Sequence, residues 1–135
     1  MGIQPKSDVS GQWLRRLFDA VDAKDVPRFL EFLAEDASFR FGNLPACRGQ
    51  REIGIVVQGF FDSIGACSHQ VAASWKVPGF VICHGNVTYT RKDARKVTLP
   101  FANILAVHGN LIRDYLIFAD VSPLFAQEVP LERMV

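Results

Sequence analysis

SHQVAASWKVPGFVICHGNVTYTRKDARKVTLPFANILAVHGNLIRDYLIFAD, from Ser68 to Asp120, is the stretch that decides the fold. Runs rich in Val, Ile, Phe, Tyr and Thr predict four strands: Ser68–Val77, Phe80–Arg91, Lys96–His108 and Asn110–Asp120. Between them stand Pro78-Gly79, Lys92-Asp93-Ala94 and Gly109-Asn110. Such short turn clusters close hairpins, so the strands are expected to be antiparallel neighbours.

Upstream, the period changes from two to 3.6. Trp13, Leu14, Leu17, Phe18 and Val21 share one arc of a helix. Asp25 is a suitable N-cap for a second helix, with Pro27 in its first turn; Phe29, Leu30, Phe32 and Leu33 face inward and Asp36 ends it. Ala37–Phe41 reads as a short extended piece leading into the turn Gly42–Pro45. Ile53, Val56, Val57, Phe60, Phe61 and Ile64 then mark an amphipathic helix, with Gly65 placed for a C-terminal cap. Past the strands, Ser122-Pro123 opens a last short helix with Ser122 as its cap. Residues 1–11 read as a loose arm, 12–126 as a single domain and 127–135 as a tail. The fold class is therefore α+β: one strongly curved antiparallel sheet wrapped over three helices. Long twisted strands over helices leave a cone-shaped hollow, and function is sought there.

Composition narrows the classes of function. The chain has 135 residues, enough for one core, and 49% of them are apolar, which argues against disorder. Fifteen Lys and Arg against fourteen Asp and Glu give a net charge of +1. That balance offers no footprint for nucleic acid and no polybasic membrane anchor. Apolar runs fall far short of a membrane span, and Met1–Ser10 lacks a signal-peptide core. Cys47, Cys67 and Cys83 are odd in number and lack ligand spacing, so reduced thiols, a cytoplasmic location and no metal are expected. Nucleotide-binding and zinc-protease motifs are absent, and no cofactor is implied.

Several polar residues stand out against apolar stripes. Asp22 borders the apolar arc of the first helix, one turn after Phe18, whereas Asp19 points away beside Arg15 and Arg16. His69 alternates with Val71, Ala73 and Trp75. His84 shares a face with Ile82, Asn86 and Thr88. Asn103 lies among Leu99, Phe101, Leu105 and Val107, and a buried amide there needs a partner. Asp114 alternates with Ile112, Leu116 and Phe118, where desolvation would make it a proton donor. Arg113, Tyr115 and Ile117 then fall on the outer face, a surface expected to pair with a second copy.

The order of elements, with Ala-Lys-Asp-Val-Pro-Arg-Phe (23–29) between the first helices and Glu-Asp-Ala-Ser-Phe (35–39) after them, resembles the NTF2-like superfamily. Within it the chain is similar to SnoaL-like and scytalone-dehydratase-like proteins, and so to ketosteroid-isomerase-like domains. The resemblance implies a pocket in which Asp22 orients a catalytic His69 while Asn103 holds an oxygen. Val21 stands where the dehydratases have a tyrosine, and His84 lies six residues before their second histidine. Asp114 resembles the last-strand aspartate of epoxide hydrolases and cyclases, and Asn43 a water-holding asparagine. Asn86 and Thr88 replace the hydrolase Arg-x-Asp pair. Phe41 and Leu17 stand in the places of the isomerase base and oxyanion tyrosine.

The expected activity is cofactor-free acid–base chemistry (dehydration, isomerisation or cyclisation) on a small apolar, oxygenated ring compound. His69, Asp22, Asp114 and Asn103 would be catalytic. Asn43, Phe41, Trp75, His84, Asn86, Phe60, Phe101, Leu116 and Phe118 would bind the substrate. Two alternatives share the fold: a non-catalytic carrier of a hydrophobic small molecule, and a partner protein whose hollow is filled by its own side chains.

Overall fold

The computed structural model describes residues 7–126. The tail over 127–135 and the first six residues of the expected arm lie outside them. Helix α1 spans Ser7–Asp22 and α2 spans Val26–Leu30, followed by strands β1 (Leu33–Phe41) and β2 (Cys47–Arg48). Helix α3 (Gln50–Asp62) leads into β3 (Ala66–Val77), β4 (Phe80–Thr90), β5 (Lys96–His108) and β6 (Leu111–Phe118), and α4 (Ser122–Phe125) closes the described chain. The helical pattern thus begins at Ser7, inside the expected arm. Among the described residues no helix is long and apolar enough to cross a membrane.

All six strands form one sheet in the order β2-β1-β6-β5-β4-β3. The three hairpins from β3 to β6 are antiparallel, as their turns require. The β1–β6 pair is parallel, because α3 and the hairpins carry the chain around before β6 returns beside β1. Asp25 caps α2 as expected, its Oδ1 accepting the Arg28 N–H at 3.1 Å. The helix is shorter than expected, however, since Leu33 already belongs to β1. Helix α3 ends at Ser63 in an ordinary helical conformation; Gly65 instead donates its N–H to Thr90 O at 2.8 Å. At α4 the cap is supplied by Asp120, whose Oδ1 accepts the Ser122 N–H at 3.0 Å, while Ser122 makes no side-chain cap.

The concave face of the sheet is the core face. From the helices it receives Leu14, Leu17, Phe18, Phe29, Ile53, Val57 and Phe61, all buried. Each large side chain of this kind contributes about 1.5–3 kcal/mol on burial. The opposing sheet residues run in rows across the strands. One row is Cys83, Asn103, Ile117 and Phe41, another Val87 and Leu99 beside His69.

Two bulges reset which residues face that core. On β3 the register slips between Val71 and Ala73 opposite Gly85. On β6, Arg113 is the extra residue: Ala106 faces Asp114 and Val107 faces Ile112. An extra residue in one strand inverts the inward and outward alternation beyond it. Trp75 therefore lies outside and Tyr115 inside, the reverse of the simple alternation.

Candidate active site

Asp22 is the last residue of α1, and the turn behind it is firmly fastened. Lys24 adopts φ +56° there, and its Nζ donates to Phe61 O, Ile64 O and Gly65 O at 3.2, 3.0 and 3.3 Å. A cation on the closing carbonyls of α3 satisfies groups that the helix leaves open. The end of α1 is thereby held against the start of β3, where Cys67 and His69 point to the concave side.

Both carboxylate oxygens of Asp22 receive His69. The backbone N–H of His69 donates to Oδ2 at 2.9 Å, and ring Nδ1 stands 2.6 Å from Oδ1. A carboxylate accepts, so the proton of the neutral ring is on Nδ1 and Nε2 carries the lone pair. Nε2 makes no hydrogen bond among the described residues. Phe18 stacks on the imidazole at 4.6 Å, and Phe101 meets it edge-on at 5.1 Å. Cys67 adds a weak donor, with Sγ 3.7 Å from Asp22 Oδ1 and 3.6 Å from Val21 O. Burial, with the Asp22 charge beside it, pushes this thiol from 9.0 up to about 12.

His69 borders a partly open cavity of about 50 Å³. An interior void of about 10–15 Å³ suffices for one water, so the space holds several waters or one compact organic group. Its walls are Phe39, Phe41, Phe60, Phe101, Tyr89 and Tyr115, with Val56 at 41% exposure on its solvent side. Asn103 also lines it. This amide is 2% exposed, its Oδ1 has no hydrogen-bond partner, and its side chain makes no bond among the described residues. An unpaired buried acceptor costs about 1–3 kcal/mol, so Asn103 Oδ1 calls for a donor, from a water or from a ligand.

Of the residues picked from the sequence, Asp22, His69, Asn103, Phe41, Phe60 and Phe101 come together here. The others do not. Asp114 pairs with Ser38 and Ala106 on the convex face, and Leu116 and Phe118 follow it there because of the Arg113 bulge. Phe118 is 53% exposed. Trp75 was turned outward by the β3 bulge and stacks on His84 at 5.8 Å. His84 and Asn86 alternate with the buried Cys83, Gly85 and Val87, and are exposed. Asn43 sits in the exposed turn after β1, outside the cavity, on an open surface cleft that it shares with His84 and Phe118 and that adjoins the cavity at Phe41, Phe101 and Ala119. Of the expected dimer face, Tyr115 and Ile117 line the cavity instead, leaving Arg113 exposed.

Tyr89 and Tyr115 were not anticipated in the walls. Burial raises the pKa of both phenols, so each remains a neutral hydroxyl. Tyr89 could have been found from its alternation with Val81, Cys83, Gly85 and Val87, the small-residue side of β4.

Asp22, Cys67 and His69 bring metal-ligand atoms within 4.8 Å of one another. Two light-atom ligands of one tetrahedral zinc stand about 3.4 Å apart, given bonds of about 2.0–2.1 Å. The 2.6 Å separation of His69 from Asp22 is that of a hydrogen bond instead, and Cys67 holds its proton. The cluster fits a proton-handling pair better than a metal centre.

The SnoaL-like domain family matches residues 14–115. The chain belongs to the SnoaL-like family. Solved structures with the same architecture include a SnoaL-like polyketide cyclase, so named provisionally, from Jannaschia sp. (TM-score 0.76, 13% identity, 92% of this chain and 94% of that one). Another is an LEH-like epoxide hydrolase of M. tuberculosis (0.70, 13%, 84% and 84%). A third is TerC, co-crystallised with polyporic acid (0.72, 12%, 83% and 92%). At such identities the likeness is one of fold, and the fold of this SnoaL-like protein is NTF2-like. No functionally curated protein matches the chain.

Proposed function

We propose that this SnoaL-like protein is an enzyme that moves protons on a small, uncharged, oxygenated ring compound without a cofactor. The observation that carries this reading is one largely apolar pocket lined both by an Asp-oriented imidazole, whose Nε2 makes no hydrogen bond among the described residues, and by a buried amide whose Oδ1 lacks a partner. No Lys, Arg, Asp or Glu is among the cavity-lining residues. A charged ligand would lose its hydration there without repayment.

In the proposed reaction Nε2 removes a proton from carbon beside a carbonyl. The C–H electrons pass into the carbonyl, and the Asn103 Nδ2–H stabilises the oxygen as it gains charge. Asp22 supports the imidazolium, which then returns its proton. Returned to a different carbon, it completes an isomerisation. Given to a β-hydroxyl, it releases water and completes a dehydration. Asp114, on the convex face, has no part. The aromatic walls bind the ring, with Phe60 and Val56 yielding to admit it.

The test is a binding screen of neutral aryl ketones and hydroxyketones by NMR. A true ligand shifts the Asn103 side-chain amide and the His69 ring together, and loses affinity in Asn103→Leu. The absence of any compound with both signatures would remove the reading. The second reading, a non-catalytic carrier, is favoured by the outward placement of Asp114, which leaves a single proton-handling pair in the cavity. It predicts tight binding with no turnover.

As a partner we propose a second copy of this chain on the convex face, where Trp75 is 39% and Phe118 53% exposed. Sedimentation of wild type as a dimer and of Phe118→Glu as a monomer is the expected result.

A further inference from the structure

We infer that the Asp22–His69 pair is a proton conduit through the wall of the cavity, opening at its far side into a separate water-filled groove. This rests on the reading of His69 as the proton acceptor of the cavity, and adds where the proton goes next. His69 lines the cavity, and it also lines a surface groove of about 380 Å³ between α1 and β3. Asp22 lines the groove and is absent from the cavity walls. The side chain of Asp22 is 26% exposed against 10% for His69. The imidazole therefore sits in the partition, with Nε2 free for the cavity and Nδ1 given to a carboxylate that water reaches from outside.

The groups facing this groove are few. Helix α1 contributes Gly11, Leu14, Arg15, Phe18, Asp19 and Asp22, and β3 contributes Gln70, Val71 and Ser74 beside His69. Phe18 on one side and Phe101 on the other seal the ring itself. A ligand in the cavity covers Nε2 and shuts that route to bulk water, but leaves the carboxylate wet.

The proton balance is simple. Nε2 gains a proton from the ligand, and the Nδ1–H passes to Asp22, which releases it to groove water. One proton has left the cavity: the ligand is transiently its enolate, held by the Asn103 amide, and the ring is neutral on Nε2 until the reverse sequence returns a proton and restores Nδ1–H. The reverse sequence delivers one solvent proton to the ligand while it is still bound. With a ligand seated over Nε2, the chemistry thus exchanges protons with solvent without the ligand leaving.

The experiment uses the ligand-free protein, so it does not depend on finding a substrate. Exchange of the His69 ring N–H with water is measured by saturation-transfer NMR on histidine-labelled protein. Ser74→Trp and Gly11→Phe fill the groove; a Cβ at Gly11 meets no atom within 4 Å, so its added ring has room. Val56→Trp plugs the solvent side of the cavity. Backbone spectra verify that each variant is folded, and either groove variant suffices. Filling the groove is expected to slow exchange by about tenfold or more, as expected when a water route is removed, while Val56→Trp leaves it unchanged. Slowing by Val56→Trp alone, or by none of the variants, would overturn the conduit. Absence of turnover on every substrate would instead remove only the enzymatic reading.

Discussion

Gly85 lies directly beneath the Gln70 carbonyl: a Cβ built on Gly85 would stand 1.9 Å from Gln70 O and 2.9 Å from Ala72 N. The contact is backbone against backbone, so no side chain can swing away. This close approach permits the β3 bulge that separates His69, facing the core, from Trp75, facing out. Gly85→Ala is expected to cost at least about 2 kcal/mol, the range of backbone clashes in a packed sheet. The check is urea unfolding, and a wild-type midpoint would show that the bulge can be rearranged freely.

Asn103→Leu is expected to stabilise the protein by about 1–2 kcal/mol, since it replaces an unpaired buried amide with an apolar group of similar volume. The same change should abolish ligand affinity. Calorimetric melting reads the first effect and NMR binding the second. A destabilised variant would mean that the amide has a structural partner.

Asp22→Ala removes two charge-assisted hydrogen bonds, one to the His69 ring and one to its backbone N–H. The expected loss is about 1.5–3 kcal/mol, towards the lower end because the carboxylate is partly exposed. Asp22→Asn keeps an acceptor for only one of the two bonds; with its oxygen on the His69 backbone N–H, its amide N–H faces Nδ1 and favours the Nε2–H tautomer, so it should recover part of the stability but little of the activity. Equal turnover in Asp22→Asn and wild type would contradict the role given to the charge.

Alkaline pH should weaken the fold. Burial raises the Cys67 and Cys83 thiols from 9.0 to about 12, and raises the Tyr89 and Tyr115 phenols as well. Above about pH 9 the unfolded chain ionises these groups while the folded chain keeps them protonated, so the unfolded state binds fewer protons. Stability is then fully present below about pH 9 and is lost as pH rises towards 12. Urea midpoints across that interval provide the measurement, and the slope should be shallower in Cys83→Ala. Flat midpoints up to about pH 11 would contradict the burial argument.

Much of this architecture was legible in the residue pattern because the signals were local. The i, i+4, i+8 series Ile53, Val57, Phe61 is the buried face of α3, and Pro78-Gly79 closes a hairpin. Asp22 and His69, 47 residues apart, could be paired through the family resemblance and meet at 2.6 Å. The errors have a common origin in contacts between strands. Neither the Ala72 nor the Arg113 bulge is written in its own strand, since each is defined by what the partner strand offers. Ile112, Asp114, Leu116 and Phe118 therefore read as one stripe, although only Ile112 reaches the core. Leu33 was assigned to a helix because Phe29, Leu30, Phe32 and Leu33 fit that period equally well. Its pairing with Ile112 on β6 comes from distant chain.

The central claim is that His69 takes a proton from carbon inside the cavity. Its most direct measurement is deuterium uptake from D2O into neutral aryl ketones that bind, followed by NMR for wild type and His69→Ala. The account predicts enzyme-dependent exchange at the carbon beside the carbonyl, reduced by about 10²-fold or more in His69→Ala. Saturating binding with no exchange above the buffer rate, or equal exchange in both proteins, would contradict it.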